Sequence, residues 1–342
     1  MNKIRIGIIC PSEIAFRRFL PSLKKIEMFE FAGVAIASAE EWGVSDDKYI
    51  AIRDSELEKA RRFTELYGGK IYEGYHKLVS SRNVDAVYIP LPPSLHYKWA
   101  KECILNGKHA LVEKPFTLNE CNTKELIDLA KDNGIALHED YMFVYHNQIN
   151  AINNIINGGE IGKIRHFRVQ FGFPRREKND FRYRKSLGGG ALYDAGGYTI
   201  KYASLLLGNS AKLISAQSIL EKEWDVDIFG AATMVNGDGI IAQISFGMDN
   251  DYKCLLEAWG SNGCLISGRV LTAPDGFEPS AIIRRNNSDN VIKLPSDEAF
   301  VKSIQLFAKC VCNDKQRLEN YETILKQASF IDQFKSLSNI DF

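Results

Sequence analysis

Three side chains in this 342-residue sequence have the types and the spacing that proton transfer requires: Lys114, Asp194 and Tyr198. Lys114 lies two residues after the apolar run 110–112, and a lysine that is partly desolvated at a strand end can hold or relay a proton near neutral pH. Asp194 and Tyr198 are four residues apart, so they share one face if this segment is helical. Lys114 is thus a candidate proton carrier, and Asp194 and Tyr198 are a candidate pair of polar groups on one face of a helix.

The elements that must position these residues alternate between β-branched runs and amphipathic helical stretches. Strand–helix alternation at this spacing implies parallel strands joined by right-handed crossovers. The sequence therefore predicts an α/β fold that begins with a Rossmann-type, doubly wound parallel sheet. The predicted strands are 4–9, 31–37, 86–90, 110–112 and 135–137, and the predicted helices are 14–26, 55–67, 96–106 and 118–133.

In such a sheet the ligand lies at the carboxyl ends of the strands, where helix N-termini offer N–H groups to phosphate. The turn after the first strand departs from the GxGxxG pattern, since only its first glycine is present. Ser12 suits both a hydrogen bond to pyrophosphate and a simple helix cap, and both interpretations stay open. The residues of this segment predicted to bind the cofactor are Gly7, Cys10, Ser12, Glu13, Ile14 and Arg17.

The end of the second strand bears on the choice between NAD and NADP. NAD enzymes usually place an acidic residue there, whereas NADP enzymes have a small polar residue with cations nearby. Here the strand is followed by Ser38, and the first carboxylates are Glu40 and Glu41. NADP is the preferred prediction, and NAD stays possible because the segment 40–52 resembles an insertion that could return a carboxylate to the site. The candidate partners of a 2′-phosphate are Arg17, Arg18 and Arg53.

The overall composition excludes several other classes of protein. Lys plus Arg and Asp plus Glu both total 43, and this balance argues against a nucleic-acid binder. We find no signal peptide and no apolar run long enough to span a bilayer. The seven cysteines and six histidines are dispersed, which predicts neither a disulfide framework nor a metal site. We therefore expect a cytoplasmic protein whose partner is a small molecule, with no membrane association.

An ordered series of segments surrounds Lys114. Glu113-Lys114-Pro115 is preceded by the rigid segment 90–96 and followed by the segments 139–148 and 188–198. This series resembles the glucose-fructose oxidoreductase and inositol dehydrogenase family (Gfo/Idh/MocA) from residue 3 to about residue 210. The resemblance implies an NAD(P)-dependent oxidoreductase that acts on CH–OH groups.

The resemblance also implies the domain organisation. A Rossmann domain is expected at 1–137, and a C-terminal domain at 138–342 binds substrate and carries a large, mostly antiparallel open sheet. That sheet also serves as an oligomer interface, so a homodimer or homotetramer is expected, and the last helix is a candidate to pack back on the first domain. Alternating patterns fit strands at 163–173, 211–220, 227–236, 239–248 and 253–259.

In that family the lysine of the Glu-Lys-Pro motif lies beside the nicotinamide and the reacting carbon, and this position corresponds to Lys114. Pro115 sets the turn that aims it, and the preceding peptide is often cis in related proteins. Glu113 either orients Lys114 or the nicotinamide carboxamide, or caps the next helix; both interpretations stay open. The other residues predicted to bind the cofactor here are Pro90, Leu91, Pro92 and His96.

Many members of the family have histidine where this chain has Tyr198. The Asp-xxx-Tyr version is similar to a branch with nucleotide-sugar 3-ketoreductases, dimeric dihydrodiol dehydrogenases and some xylose dehydrogenases. A tyrosine protonates a carbonyl oxygen only if a cation supports the phenolate, and Lys114 is the candidate cation. Asp194 would then anchor a substrate hydroxyl, while a purely structural Tyr198 bonded to backbone is the alternative. Further candidates for the sugar pocket are Tyr141, His146 and Arg182.

The segment 10–23 is similar to the start of nucleotide-sugar 3-ketoreductases from deoxysugar pathways. Together with Tyr198 it favours reduction of a keto group on a nucleotide-linked sugar. The alternatives are a dehydrogenase of a free sugar, a polyol or a dihydrodiol, and a non-catalytic protein that binds a dinucleotide as a sensor. The retention of Lys114, Asp194 and Tyr198 favours an enzyme.

Overall fold

The computed structural model describes residues 3–338, apart from the side chains of residues 46 and 47. These residues form two compact units. Unit 1 contains the chain up to Thr117 together with Cys121–Asp140 and Ser303–Leu325, and unit 2 contains Leu118–Glu120, Tyr141–Lys302 and the chain from Lys326 onward. Each unit is therefore assembled from separate stretches of the sequence.

Unit 1 is built on a six-stranded parallel sheet with the strand order β3-β2-β1-β4-β5-β6. The order reverses between β1 and β4, as it does in doubly wound folds that bind a ligand at this point. The central strand β4 is buried along its whole length, as expected in a parallel sheet that helices cover on both faces. The strands are β1 (Ile4–Ile9), β2 (Phe29–Ile36), β3 (Lys70–Glu73), β4 (Ala86–Ile89), β5 (His109–Val112) and β6 (Leu137–Glu139).

The helices and helical turns of the first part of the chain connect these strands. A π-helical turn, Ala15–Phe19, leads into α1, and a 3-10 turn, Pro93–Leu95, leads into α5. The helices are α1 (Leu20–Leu23), α2 (Ala39–Trp42), α3 (Asp46–Tyr67), α4 (Tyr75–Val79), α5 (His96–Leu105) and α6 (Glu120–Asn133).

Helix α3 and the strands β3 and β6 of unit 1 differ from the prediction. Helix α3 begins at Asp46 and has Ser45 as its N-cap, so most of the segment 40–52 is helical and the predicted start at Ser55 is wrong. Strand β3 was not predicted, because it is a short edge strand in which no residue is buried. Strand β6 lies at Leu137–Glu139 rather than at 135–137. Its buried polar residues, His138 and Glu139, conceal the apolar pattern by which buried strands are recognised.

Unit 2 contains an eight-stranded sheet with the order β14-β13-β12-β11-β7-β10-β9-β8. Strands β7 and β10 are parallel, and their other neighbours in the sheet are antiparallel. The five strands predicted here are confirmed, whereas β12, β13 and β14 were not predicted. The strands are β7 (Ile164–Gly172), β8 (Lys212–Glu221), β9 (Val226–Val235), β10 (Ile241–Gly247), β11 (Lys253–Gly260), β12 (Gly263–Gly268), β13 (Ser280–Arg285) and β14 (Ser288–Lys293).

One face of this sheet packs on helix α8, which is buried on nearly every side. Gly230 lets the helix-facing ring of Phe246 lie against the neighbouring strand, since a Cβ at Gly230 would approach Phe246 to 2.4 Å. The remaining helices are α7 (Asn147–Asn157), α8 (Gly197–Leu207), α9 (Ala299–Cys312) and α10 (Asp314–Ser338). The predicted fold class is confirmed. Within the described residues, no helix has both the length and the apolar character needed to cross a bilayer.

Candidate active site

The turn that carries Lys114 follows β5 in unit 1. The peptide bond between Lys114 and Pro115 is cis. Glu113 is held on one side of this turn, where its backbone N–H donates to Ile89 O at 3.2 Å and its Oε1 accepts from the hydroxyl of Tyr88 at 2.6 Å. On the other side, the backbone N–H of Phe116 donates to Glu139 Oε1 at 2.9 Å. Hydrogen bonds on both flanks therefore fix the backbone that presents the Lys114 side chain.

His96 connects this turn to the segment after β4. Its Nδ1 lies 2.7 Å from Pro115 O and its Nε2 lies 2.7 Å from Leu91 O. The ring is fully buried, and burial lowers the pKa of His96 to about 4, although both carbonyls favour its protonated form. The neutral ring donates from one nitrogen at a time. His96 thus connects the turn after β5 to the segment after β4. That segment contains the predicted cofactor-binding residues Pro90, Leu91 and Pro92.

The turn after β1 explains why this chain departs from the glycine pattern. Cys10 has a φ of 78°, in the left-handed region that favours glycine. Burial raises the pKa of its thiol to about 12, so the thiol stays neutral. Ser12 Oγ accepts from the N–H of Ala15 at 3.3 Å, so Ser12 caps the first helical turn. Glu13, Ile14 and Arg17 follow on the exposed side of that turn.

The end of β2 is closed by a capping box. Ser38 Oγ accepts from the N–H of Glu41, and the N–H of Ser38 donates to Glu41 Oε2 at 2.7 Å. The same carboxylate accepts from the N–H groups of Tyr75 at 2.8 Å and His76 at 2.9 Å. Arg53 pairs with Glu73 at 2.8 Å. The first well-placed carboxylate after β2 is thus engaged by three backbone N–H groups.

In unit 2, Asp194 lies in a π-helical turn, Leu192–Gly196, and Tyr198 lies in the first turn of α8. Asp194 Oδ2 accepts from Arg182 Nε at 2.6 Å, so the structure brings these two predicted substrate-binding residues together. Asp180 holds the other side of the guanidinium, with Arg182 Nη1 at 3.1 Å from its Oδ1. A carboxylate fixed in this way can accept a hydrogen bond from a sugar hydroxyl with little loss of side-chain entropy.

The ring of Tyr198 is held among aromatic side chains and is 8% exposed. Tyr141 packs edge-on against it with ring centroids 5.2 Å apart, and Phe171 does so at 5.5 Å. Gln327, which the sequence reasoning missed, donates to Gly197 O at 2.9 Å and to the hydroxyl of Tyr141 at 3.4 Å. Contacts on several sides therefore leave the Tyr198 ring little freedom.

His146 lies at the start of α7. Its Nδ1 accepts from the N–H of Gln148 at 3.1 Å, so it acts as the helix N-cap. The side chain is 1% exposed, and burial lowers the pKa of His146. The neutral imidazole can supply the lone pair that this cap requires. The structure therefore gives His146 a capping position, and its predicted role in the sugar pocket stays a prediction.

Asp227 is a second residue that the sequence reasoning missed. Its Oδ2 accepts from the N–H of Leu192 at 2.8 Å, at the start of the turn that contains Asp194. Gly190, with a φ of 116°, leaves room for this carboxyl, since a Cβ there would approach Asp227 Oδ1 to 2.2 Å. Burial raises the pKa of Asp227 from 3.8 to about 7. Asp227 lies near the start of β9 and not in the glycine loop at 188–190. No local motif therefore marks this residue.

Asp227→Asn is expected to remove a pH dependence of folding stability. The raised pKa means that the folded state retains the proton, so this contribution is fully present below pH 3.8 and is lost as the pH rises through about 7. Asparagine keeps the acceptor for Leu192 and does not titrate. The free energy of unfolding of the wild type, measured by urea titration, should therefore fall between these pH values by a few kcal/mol relative to the variant. Parallel curves for the two proteins would contradict the assignment, and Asp132→Asn on the exposed side of α6 is the matched control.

Within the described chain, no three His, Cys, Asp or Glu side chains are grouped so as to hold a metal ion. Comparison with known proteins places the chain in a family. Residues 27–141 match the oxidoreductase family with an NAD-binding Rossmann fold (GFO_IDH_MocA), and residues 149–266 match the GFO/IDH/MocA C-terminal domain. The chain belongs to this oxidoreductase family, as the resemblance in the sequence predicts, and it is an NAD(P)-dependent enzyme.

Individual relatives are similar along almost the whole chain. A dTDP-3,4-didehydro-2,6-dideoxy-alpha-D-glucose 3-reductase of Actinomadura kijaniata is 36% identical over 335 residues, which cover 98% of this chain and 96% of the relative. A reductase of the same name from Streptomyces violaceoruber is 34% identical and covers 99% and 97%. A 3-ketoreductase of Actinomadura kijaniata, solved in complex with NADP and TDP-benzene, superposes with a TM-score of 0.90 at 35% identity, covering 98% of each chain.

Proposed function

We propose that this protein reduces a keto group on a nucleotide-linked sugar with NADPH, and that the keto group is at carbon 3 of a dTDP-linked deoxysugar. The observation that carries this proposal is the likeness to 3-reductases along 98% of the chain. The geometry supports it, because each unit presents groups suited to the reaction: Lys114 on a fixed turn in unit 1, and Asp194 with Tyr198 on one helical segment in unit 2.

The preference for NADP is supported by the end of β2. A ribose diol needs a free carboxylate acceptor at this point, but Glu41 is engaged by the N–H groups of Ser38, Tyr75 and His76. Arg17 is exposed and forms no ion pair within the described part of the chain, so it can accept a 2′-phosphate. The residues present therefore fit NADP better than NAD.

When bound, the cofactor supplies a hydride from C4 of its nicotinamide. The other steps belong to the protein. Asp194, oriented by Arg182, accepts a hydrogen bond from a sugar hydroxyl and sets the position of the keto carbon. Tyr198 donates its phenolic proton to the keto oxygen as negative charge develops there, and the Lys114 ammonium stabilises the phenolate that forms.

We also propose that the open face of the eight-stranded sheet is a homodimer interface. Trp259 and Ile241 lie opposite His166 from its two neighbouring strands, so the three side chains share one face. Trp259 is 59% exposed and Ile241 is 41% exposed, which is unusual for large apolar side chains on a monomer surface.

All seven cysteines are free thiols, and this supports a reducing, cytoplasmic location.

Calorimetric titration with NADPH and with NADH, each repeated with a panel of nucleotide-linked sugars, tests the proposed function. We expect NADPH to bind more tightly than NADH, and a dTDP-linked sugar to bind more tightly to the NADPH complex than to the free protein. Oxidation of NADPH should then be seen with a dTDP-3-keto sugar. If turnover occurred only with a free sugar or a dihydrodiol, the nucleotide-sugar assignment would be wrong.

A further inference from the structure

A chain of buried polar side chains lies in unit 1 below the turn that presents Lys114. His138 and Asp140 flank Glu139 at the carboxyl end of β6, and Ser303 of α9 lies between them. Ser303 Oγ is 2.6 Å from Asp140 Oδ1 and 2.8 Å from His138 Nε2. The exposed fractions of His138, Ser303 and Asp140 are 0%, 0% and 2%. The mechanism described above does not use these three residues.

Two observations indicate that Asp140 holds a proton in the folded protein. Its Oδ2 is buried and has no hydrogen-bond partner in the described part of the chain, a placement that is costly for a charged oxygen. Burial and the charge of Glu113 raise the pKa of Asp140 well above 3.8, and the hydrogen bond from Ser303 opposes this only in part. Both observations favour a neutral Asp140, while the neighbouring Glu113 accepts a hydrogen bond from the hydroxyl of Tyr88 at 2.6 Å.

The hydroxyl of Ser303 allows a proton to pass between His138 and Asp140. A serine has one hydrogen to donate, so its two partners cannot both be acceptors. When Ser303 donates to Asp140 Oδ1, His138 Nε2 must donate to Ser303 Oγ. When Asp140 carries the proton on Oδ1, both bonds reverse. A proton taken up at His138 Nδ1 thus reaches Asp140 by two shifts, with Nε2 giving its proton to Oγ and Oγ giving its own to Oδ1.

We propose that the buried series His138, Ser303 and Asp140 holds a proton that keeps Asp140 neutral, and so limits the negative charge beside Glu113 and the turn that carries Lys114. These are positioning residues, which act through Glu113 and Lys114 and do not touch the substrate. The groups that act on Asp140 are Ser303 of α9, which hydrogen-bonds to it and to His138 of β6, and Glu113 after β5, whose charge raises its pKa.

The state of Asp140 can be read directly and without turnover. Infrared difference spectra should show a carboxylic-acid C=O band at neutral pH that is absent in Asp140→Asn. In Ser303→Ala the band should shift and should persist to higher pH, since the variant removes the donor that favours the ionised form. Glu113→Gln should lower the pH at which the band disappears, because it removes the neighbouring like charge. Absence of the band in the wild type at neutral pH would overturn the proposal.

The consequence for Lys114 rests on the proposed function and is read from the pH dependence of kcat. In the wild type, ionisation of Asp140 at alkaline pH adds a negative charge beside Glu113 and the turn that carries Lys114. Asp140→Asn and Ser303→Ala should therefore both move the alkaline limb to lower pH, by about one unit, which is a tenfold change in proton affinity. The double variant should match Asp140→Asn, because both changes act through one carboxyl.

Two further outcomes are distinguishable. If the variants lower kcat equally at every pH and leave the profile unchanged, the chain has only a structural role and the proposal is wrong. If the infrared band behaves as expected but the wild type oxidises no NADPH with any keto sugar, the proposed function fails while the protonated state of Asp140 stands. Asp128→Asn on α6, whose carboxylate is 58% exposed, is the control for the loss of a carboxylate.

Discussion

Tyr198→Phe is expected to lower kcat for reduction of a nucleotide-linked keto sugar by about 10²- to 10⁴-fold, the range over which a positioned proton donor contributes. The phenylalanine ring keeps the edge-on contacts with Tyr141 and Phe171, so α8 should be unchanged. Only the proton that the keto oxygen receives is lost. Stopped-flow measurement of NADPH oxidation, together with calorimetric Kd values for NADPH, separates this effect from a loss of cofactor binding.

The matched control for this prediction is Tyr202→Phe, the same substitution one turn further along α8. Tyr202 is fully buried, and its hydroxyl has no hydrogen-bond partner in the part of the chain that the structure describes. Removing that hydroxyl should leave kcat within about twofold of the wild type. A loss in Tyr202→Phe as large as that in Tyr198→Phe would point to disturbed helix packing. A Tyr198→Phe enzyme with nearly full kcat would exclude Tyr198 as the proton donor.

Most of the fold could be predicted because the pattern of apolar residues reports burial directly. The strands β4 and β5 are short apolar runs bounded by turn residues, and both lie where the pattern indicates. Helix α3 illustrates the limit of such patterns. The residues 49–52 are apolar, but they lie in the segment that was interpreted as an insertion, so the predicted helix begins at residue 55 although the helix begins at Asp46.

Residues of the candidate site could be predicted from the sequence only where they belong to a short motif. Lys114 and the pair Asp194 and Tyr198 belong to short motifs, and their spacing suggested their chemistry. Gln327 donates to a carbonyl 130 residues away, and Ser303 donates to a carboxyl 163 residues away. Contacts at such separations depend on how the chain folds back, which no local pattern contains. For the same reason Arg182 was recognised as a candidate, but its ion pair with Asp194 was not.

Cys10 shows how a departure from a motif can preserve the geometry of that motif. A turn with a single glycine is weak evidence for phosphate binding. Cys10 nevertheless adopts the left-handed backbone conformation that a glycine usually supplies. Non-glycine residues pay a cost of about 1 to 2 kcal/mol for this conformation. A pattern search for glycines therefore misses a turn whose backbone is nevertheless correct.

Replacement of Lys114 distinguishes two roles of its side chain, namely stabilising the Tyr198 phenolate and passing a proton to Tyr198. Lys114→Ala removes both the positive charge and the exchangeable proton, and we expect kcat to fall by about 10²- to 10⁴-fold. Lys114→Arg keeps the charge but cannot release a proton. If the ammonium only stabilises the Tyr198 phenolate, the arginine variant should recover a substantial part of kcat. If Lys114 also passes a proton to Tyr198, arginine should be nearly as slow as alanine. Lys101→Ala, which breaks an exposed ion pair with Glu125, is the control.

The double variant Lys114→Ala, Tyr198→Phe completes this test. Two groups that act as one unit are strongly non-additive, so the double variant should be no more than a few-fold slower than the slower single variant. Independent roles would instead multiply the two losses. The pH profile adds a second criterion, because loss of the cation should move the alkaline limb of Lys114→Ala to a different pH while Tyr198→Phe should remove that limb. Multiplied losses together with unchanged profiles would show that the two residues, which lie in different units of the chain, do not share a proton.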